Sequence, residues 1–164
     1  MKIKTRLTKG WSTHQTMLIK TVMKCEGDVL ELGAGLFSTP LLHWMCKMLG
    51  KKLVTYENDP QFYKLAKTFT SSRHKIILTE DWSDAPANKL WGVVFIDHHP
   101  EKQRAIDAIR FKDIAEYIVM HDTEKGHKYD YELVYPHFKC IYQWTECKPH
   151  TAVVSNLKDL SWLV

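Results

Sequence analysis

Val29-Leu30-Glu31-Leu32-Gly33-Ala34-Gly35 is the stretch on which the reading of the whole chain turns. The short, mostly apolar run from Asp28 to Leu32 predicts a buried strand, and the two glycines predict the turn that stops it. Thr39-Pro40 then opens a helix, because proline suits the first helical turn, where its missing N–H costs nothing. Leu41, Leu42, Met45, Cys46 and Leu49 hold the helical period as far as Gly50. A strand, a glycine turn and a helix in this order begin an alternating β/α chain.

Upstream, Ser12 with Gln15 three residues later predicts a capping box. Met17, Leu18, Thr21 and Val22 give the helix that follows an apolar face, ending near Cys25 to Gly27. Downstream the unit repeats. Residues 52–56 read as a strand ending at Glu57, and Asp59-Pro60 as the cap of a helix reaching about Phe69. Residues 75–79 form a third strand before Glu80-Asp81-Trp82, and residues 93–96 a fourth before Asp97-His98-His99-Pro100. Residues 101–111 read as a helix, and residues 118–120 as a fifth strand before His121-Asp122-Thr123. Tyr131 to Tyr135 predicts a short helix, and residues 138–144 and 151–156 two late strands able to pair as a hairpin. Only Ser83 to Trp91 separate the third strand from the fourth, so the helix there is expected to shrink to a turn at Asp84-Ala85-Pro86. The alternation implies a parallel sheet with helices on both faces, and the apolar central strands agree with burial on both sides.

The chain has 164 residues, which predicts a single domain over 1–164. Hydrophobic residues at 45% and charged residues at 26% describe a globular composition. No apolar run reaches the roughly 18 residues that would span a bilayer, and the first ten residues lack an apolar signal core. The four cysteines form no CxxC pair, which argues against a zinc knuckle and for a reduced, cytoplasmic compartment. The net charge of +4 is spread along the chain and makes no strong case for nucleic acid.

In open α/β sheets, ligands sit beyond the carboxyl ends of the strands. Those ends carry Glu31, Glu57, Asp81, Asp97-His98-His99 and His121-Asp122. Glycines let a backbone approach a ligand, and the helix after them offers free N–H donors, so Gly33-x-Gly35 reads as half of a nucleotide-binding loop. A dinucleotide such as NAD would want a third glycine, and Ser38 stands in its place.

The set resembles the class I S-adenosylmethionine (SAM)-dependent methyltransferases, whose first motif places an acid two positions before the first of two glycines, as Glu31 stands here. The similarity extends from about residue 12 to residue 156. It implies an α/β, Rossmann-like, seven-stranded, mostly parallel sheet with helices on both faces and a late antiparallel strand pair. It also implies SAM held by Glu31, Gly33 and Gly35, with Glu57 and its neighbour Asn58 at the ribose, Asp81 and Trp82 at adenine, and Asp97 beside them. Val94-Phe95-Ile96-Asp97-His98 is similar to the fourth-strand motif of catechol O-methyltransferase and related enzymes. There a cation, Mg²⁺, is held by an aspartate at this position and a second at the next strand end, so Asp97 and Asp122 become the metal candidates. Thr123 departs from the asparagine that completes that set, and the family's lysine after the fourth strand is unmatched.

Asp97, His98 and His121 are the catalytic candidates, since histidine suits proton transfer near neutral pH. His14, His127, Tyr129 and Tyr131 are candidates for the substrate side. The expected acceptor is a small molecule bearing a hydroxyl. There is no (D/N/S)-P-P-(Y/F) motif and no Pro-Cys nucleophile, which disfavours DNA as acceptor. RNA or protein methylation, a non-catalytic SAM-binding protein and an NAD-type oxidoreductase stay open. A missing cap and a lost helix would leave a face on which a second copy of the chain could close a homodimer.

Overall fold

The computed structural model describes residues 9–124 and 129–164. Seven strands form one sheet in the order β3-β2-β1-β4-β5-β7-β6. They are β1 (Val29–Leu32), β2 (Leu53–Glu57), β3 (His74–Leu78), β4 (Trp91–Ile96), β5 (Ala115–His121), β6 (Cys140–Trp144) and β7 (Thr151–Ser155). The first five are parallel, while β7 runs antiparallel to β5 and to β6. The expected fold, including the late antiparallel pair, is the observed one.

The pleat assigns alternate residues to opposite faces. Leu30, Leu32, Val94, Ile96, Ile118 and Met120 point to one core, together with Ala105, Ala108 and Phe111 from the region of helix α4 (Gln103–Arg110). Val29, Val93, Phe95, Tyr117 and Val119 point to the other. That second core is closed by Met17, Leu18 and Val22 of α1 (Gln15–Lys24) and by Leu42, Met45 and Cys46 of α2 (Ser38–Met48). The central strands β4 and β5 are buried along their whole length, which is why they read as nearly continuous apolar runs.

Helix α3 (Pro60–Ala66) starts as predicted: the Asp59 carboxylate accepts from the N–H groups of Gln61 and Phe62. The predicted Ser12–Gln15 capping box does not form. Residues Lys9–Ser12 are a 3-10 turn, and α1 begins only at Gln15, after His14 and without a side-chain cap. The Thr13 backbone N–H donates to the Gly10 carbonyl at 3.4 Å and holds that turn closed, while the Gln15 amide donates to the Phe37 carbonyl instead of folding back. Between β3 and β4 the described structure has one 3-10 turn, Trp82–Asp84, where a crossover helix is missing as expected. The short helix predicted over Tyr131 to Tyr135 is a pair of 3-10 turns, Tyr131–Leu133 and Tyr135–His137. No described helix is long and apolar enough to cross a membrane.

Candidate functional site

Gly33 sets the geometry at the carboxyl end of the sheet. Its φ of +94° lies in the region that side chains disfavour, and a Cβ there would come within 2.8 Å of the Asp97 carbonyl and the His98 Cα. The absence of a side chain lets the ends of β1 and β4 close on one another, with Asp97 N–H donating to the Leu32 carbonyl at 2.9 Å. A cavity of about 780 Å³ opens beyond these ends. One half is walled by Gly33 to Phe37, Glu57 to Pro60 and Phe62, the other by Gly10, Trp11, His14, Asp97, Arg104, His121, Asp122, Tyr129 and Pro149. The volume falls within the roughly 300–1,000 Å³ usual for small-molecule sites. Four of its lining residues are carboxylates (Glu57, Asp59, Asp97 and Asp122) and one is a guanidinium, in a chain whose net charge is +4.

Glu57 is held by backbone. Its Oε2 accepts from the Ala34 N–H at 2.6 Å, and its Oε1 from the N–H groups of Asn58 and Asp59 at 2.8 and 2.7 Å. Burial pushes its carboxyl up from the ordinary value, against those three donors. Asn58 also lines the cavity, and its amide donates to the His99 carbonyl. Glu31 stands elsewhere. It is fully buried behind the glycine turn, where it accepts from the hydroxyls of Thr39 and Thr55. Thr39 in turn accepts from the Gly35 N–H at 3.0 Å, so Glu31 braces the loop from behind and does not border the cavity. Burial raises its carboxyl to about 7. The buried polar chain continues through Thr55 to His74 and His43.

The adenine pair read from the sequence is not at the cavity. Asp81 caps the 3-10 turn by accepting from the Ser83 N–H, and that turn swings Trp82 into the core. The indole stacks on His98 at 4.1 Å and donates to the His99 carbonyl. Phe62 of α3 supplies an aromatic wall beside Glu57 and Asn58 instead.

His98 is also corrected. Its imidazole is fully buried, with Nε2 2.9 Å from Asp107 Oδ2, so only its main chain reaches the cavity and it cannot take a proton from a ligand. The Asp97–Asp122 pair read as metal ligands is bridged by a protein cation. Arg104 Nη1 lies 3.0 Å from Asp97 Oδ1 and 3.0 Å from Asp122 Oδ2, and its Nε donates to the His98 carbonyl. The guanidinium stands between the two carboxylates, so the pair does not fit Mg²⁺ shared between them. Asp122 reaches this position through a left-handed backbone, φ +59°, which aspartate tolerates better than most residues.

His121 and Asp97 do meet at the cavity, Nδ1 to Oδ2 at 3.4 Å. Burial disfavours charge on His121, but Asp97 and then Asp122 outweigh it and raise the imidazole above its ordinary value. Burial likewise works against the Asp97 carboxylate, and His121 and Arg104 outweigh it, holding the acid at about 2. His14, beside them, is pushed down to about 4 by burial and by His121. Tyr129 lines the cavity with the Arg104 guanidinium 4.5 Å from its ring centroid, whereas Tyr131 packs beneath it in the core. His127 lies outside the described residues. Sequence reasoning missed Arg104 altogether, along with Trp11 and Phe62.

The fold, a seven-stranded sheet in this order, is shared with solved methyltransferase structures. The N-terminal domain of human METTL16, solved in complex with SAH, matches it with a TM-score of 0.68 at 12% identity, over 96% of this chain and 75% of that one. A protein described as a caffeoyl-CoA O-methyltransferase from Staphylococcus aureus matches with a TM-score of 0.61 at 11% identity, over 92% and 84%. Cofactor-bound Rv0187 from MTB matches with a TM-score of 0.62 at 18% identity, over 97% and 84%. At such identities the likeness is one of fold. No protein-family model and no curated protein sequence matches the chain.

Proposed function

We propose that this chain is a SAM-dependent methyltransferase whose acceptor is a small molecule with a hydroxyl group. The observation that carries the reading is the acidic cavity at the Gly33 turn, with Glu57 pinned at its wall. Bound SAM would supply an electrophilic methyl group on a sulfonium. Its sulfonium and ammonium charges suit a site lined by four carboxylates. Glu57 already spends its oxygens on three N–H groups that set its direction, leaving further lone pairs for the ribose hydroxyls. The first-turn N–H groups of α2, which no side chain caps, lie beside Leu36 and Phe37 on the cavity wall. Phe62 offers a flat face for adenine.

The opposite half would take the acceptor. Asp97, His14 and His121 point polar atoms at one place, while Trp11 and Tyr129 furnish apolar surface beside it. Holding acceptor and donor in one enclosure lowers the entropic part of the barrier. One METTL16 structure contains a 3′UTR hairpin, which raises RNA as a second acceptor. The carboxylates around this cavity speak against a phosphate-rich chain entering it.

Calorimetric titration with SAH tests the reading, with NAD as the control. SAH should bind one per chain and NAD should not. Absence of SAH binding overturns the proposal, and NAD binding in its place moves the chain to the oxidoreductases.

A further inference from the structure

We infer that His14, Asp97 and His121 form a site for one divalent first-row transition-metal ion. Two imidazoles and one carboxylate converge here from the start of α1 and the ends of β4 and β5, with ligand atoms all within 4.8 Å of one another. His121 Nδ1 and Asp97 Oδ2 already stand 3.4 Å apart. Two ligands on a tetrahedral ion, with bonds of about 2.1 Å, lie roughly that far from each other.

The hydrogen bonds around His121 point the same way. Thr13 has a single hydroxyl hydrogen, and the Pro149 carbonyl 2.7 Å away receives it. Thr13 Oγ1 therefore accepts at 2.9 Å from His121 Nε2–H. In the neutral ring this leaves the Nδ1 lone pair turned toward the Asp97 carboxylate, a gap that either a proton or a metal cation would fill. His14 adds a third donor. It is almost wholly buried, both of its ring nitrogens lack a hydrogen-bond partner, and its ring meets that of His121 edge-on at 4.7 Å. An imidazole with unpartnered nitrogens is costly to bury unless something binds it.

The surroundings support the three ligands. Thr13 orients His121, and Arg104 holds Asp97 Oδ1 while leaving Oδ2 toward the histidines. Asp122 offsets the charge of Arg104, so the negative charge of Asp97 remains for a cation. Two nitrogen donors and one oxygen suit Zn²⁺, Co²⁺ or Fe²⁺ better than Mg²⁺, which prefers oxygen. Three protein ligands would leave a position open to the cavity. On the methyltransferase reading, that position would hold the oxygen of the acceptor.

The test uses the full chain stripped with chelator and titrated with Co²⁺, followed by visible absorption and calorimetry, with SAH titrated into the same samples. One Co²⁺ per chain is expected, displaced by Zn²⁺ and not by equal Mg²⁺. His14→Ala should weaken Co²⁺ at least 100-fold. Thr13→Val keeps the side-chain shape and should weaken Co²⁺ about 10- to 100-fold through the orientation of His121. Cys147→Ser, at an exposed thiol, should change nothing. Failure to bind Co²⁺ or Zn²⁺ overturns the site, and so does binding that His14→Ala and Thr13→Val leave intact. SAH binding without metal binding defeats the metal site and spares the proposed function; metal binding without SAH does the reverse.

Discussion

His98 and His121 sit at the ends of neighbouring strands, and each meets a carboxylate, Asp107 at 2.9 Å and Asp97 at 3.4 Å. In the sequence they look like equals. In the fold, the His98–Asp107 pair is sealed, both side chains at 0% exposure, under Trp82 and against α4. The His121–Asp97 pair faces the cavity, and the Asp97 side chain is 24% exposed. The first pair has no route to a ligand and works as a strut between strand end and helix. The second borders the cavity, with His121 held by Thr13 and Asp97 by Arg104. What separates them is direction: just past β4, the consecutive residues Asp97 and His98 send their side chains to the cavity and to the core.

Breaking the sealed pair should have the largest effect on stability. Asp107→Ala strands His98 and Arg110, which share that carboxylate, and should cost about 3–5 kcal/mol. For a domain of this size that lowers the melting temperature by roughly 10 °C. Asp97→Ala should lower it less than half as much; equal losses in calorimetric scans would erase the contrast. On the cavity side, Glu57→Gln should weaken SAH about 10- to 100-fold by titration, since hydrogen bonds to a charged group contribute about 1.5–3 kcal/mol. Folding should hardly change. A fall in melting temperature as large as that of Asp107→Ala would make Glu57 a structural residue instead.

A third buried imidazole sharpens the comparison through pH. Burial, and then His43, push His74 down to about 4, while the unfolded chain binds a proton near 6.5. The folded state therefore prefers neutral His74. Its contribution is complete above about pH 6.5 and is lost as the pH falls toward 4. Between pH 7.5 and 5, urea midpoints should fall further for the native chain than for His74→Gln. Equal falls would remove His74 from the acid-sensitive groups, of which buried His14 is another. The smallest effect belongs to His99, next in sequence to His98 yet with its side chain 71% exposed: His99→Ala should move stability by less than about 0.5 kcal/mol in the same urea assay.

The legible features were local ones. The Asp59-Pro60 cap, the glycine turn and the apolar strands each depend on a few adjacent residues, and each stands as read. The shortened crossover followed from counting residues. What failed needed a direction in space. Asp81-Trp82 lies at the expected strand end, but a 3-10 turn sends the indole inward. Ser12 has the right neighbour for a cap, but the Thr13 backbone N–H ties the preceding turn to Gly10. Arg104 did leave a trace. The spacing of α4 puts Arg104, Asp107, Ala108 and Phe111 on one face, and the structure buries that face while Ile106 is 58% exposed. Two charges on the inward stripe of a short helix, with an isoleucine turned out, mark charges bound to something in the interior.

Arg104 answers at once to Asp97, Asp122 and the His98 carbonyl. Lysine, a point charge, could not reproduce this fork. Losing either acid would leave the guanidinium under-compensated, and losing the arginine would set two acids against each other. The three positions are therefore bound to vary together. An aspartate, an arginine seven residues later and an aspartate eighteen beyond that make a sharper query for lineage than the glycine turn, which nucleotide-binding folds share widely. Distant kin of this chain should be recognisable by that spacing even where little else in their sequences aligns.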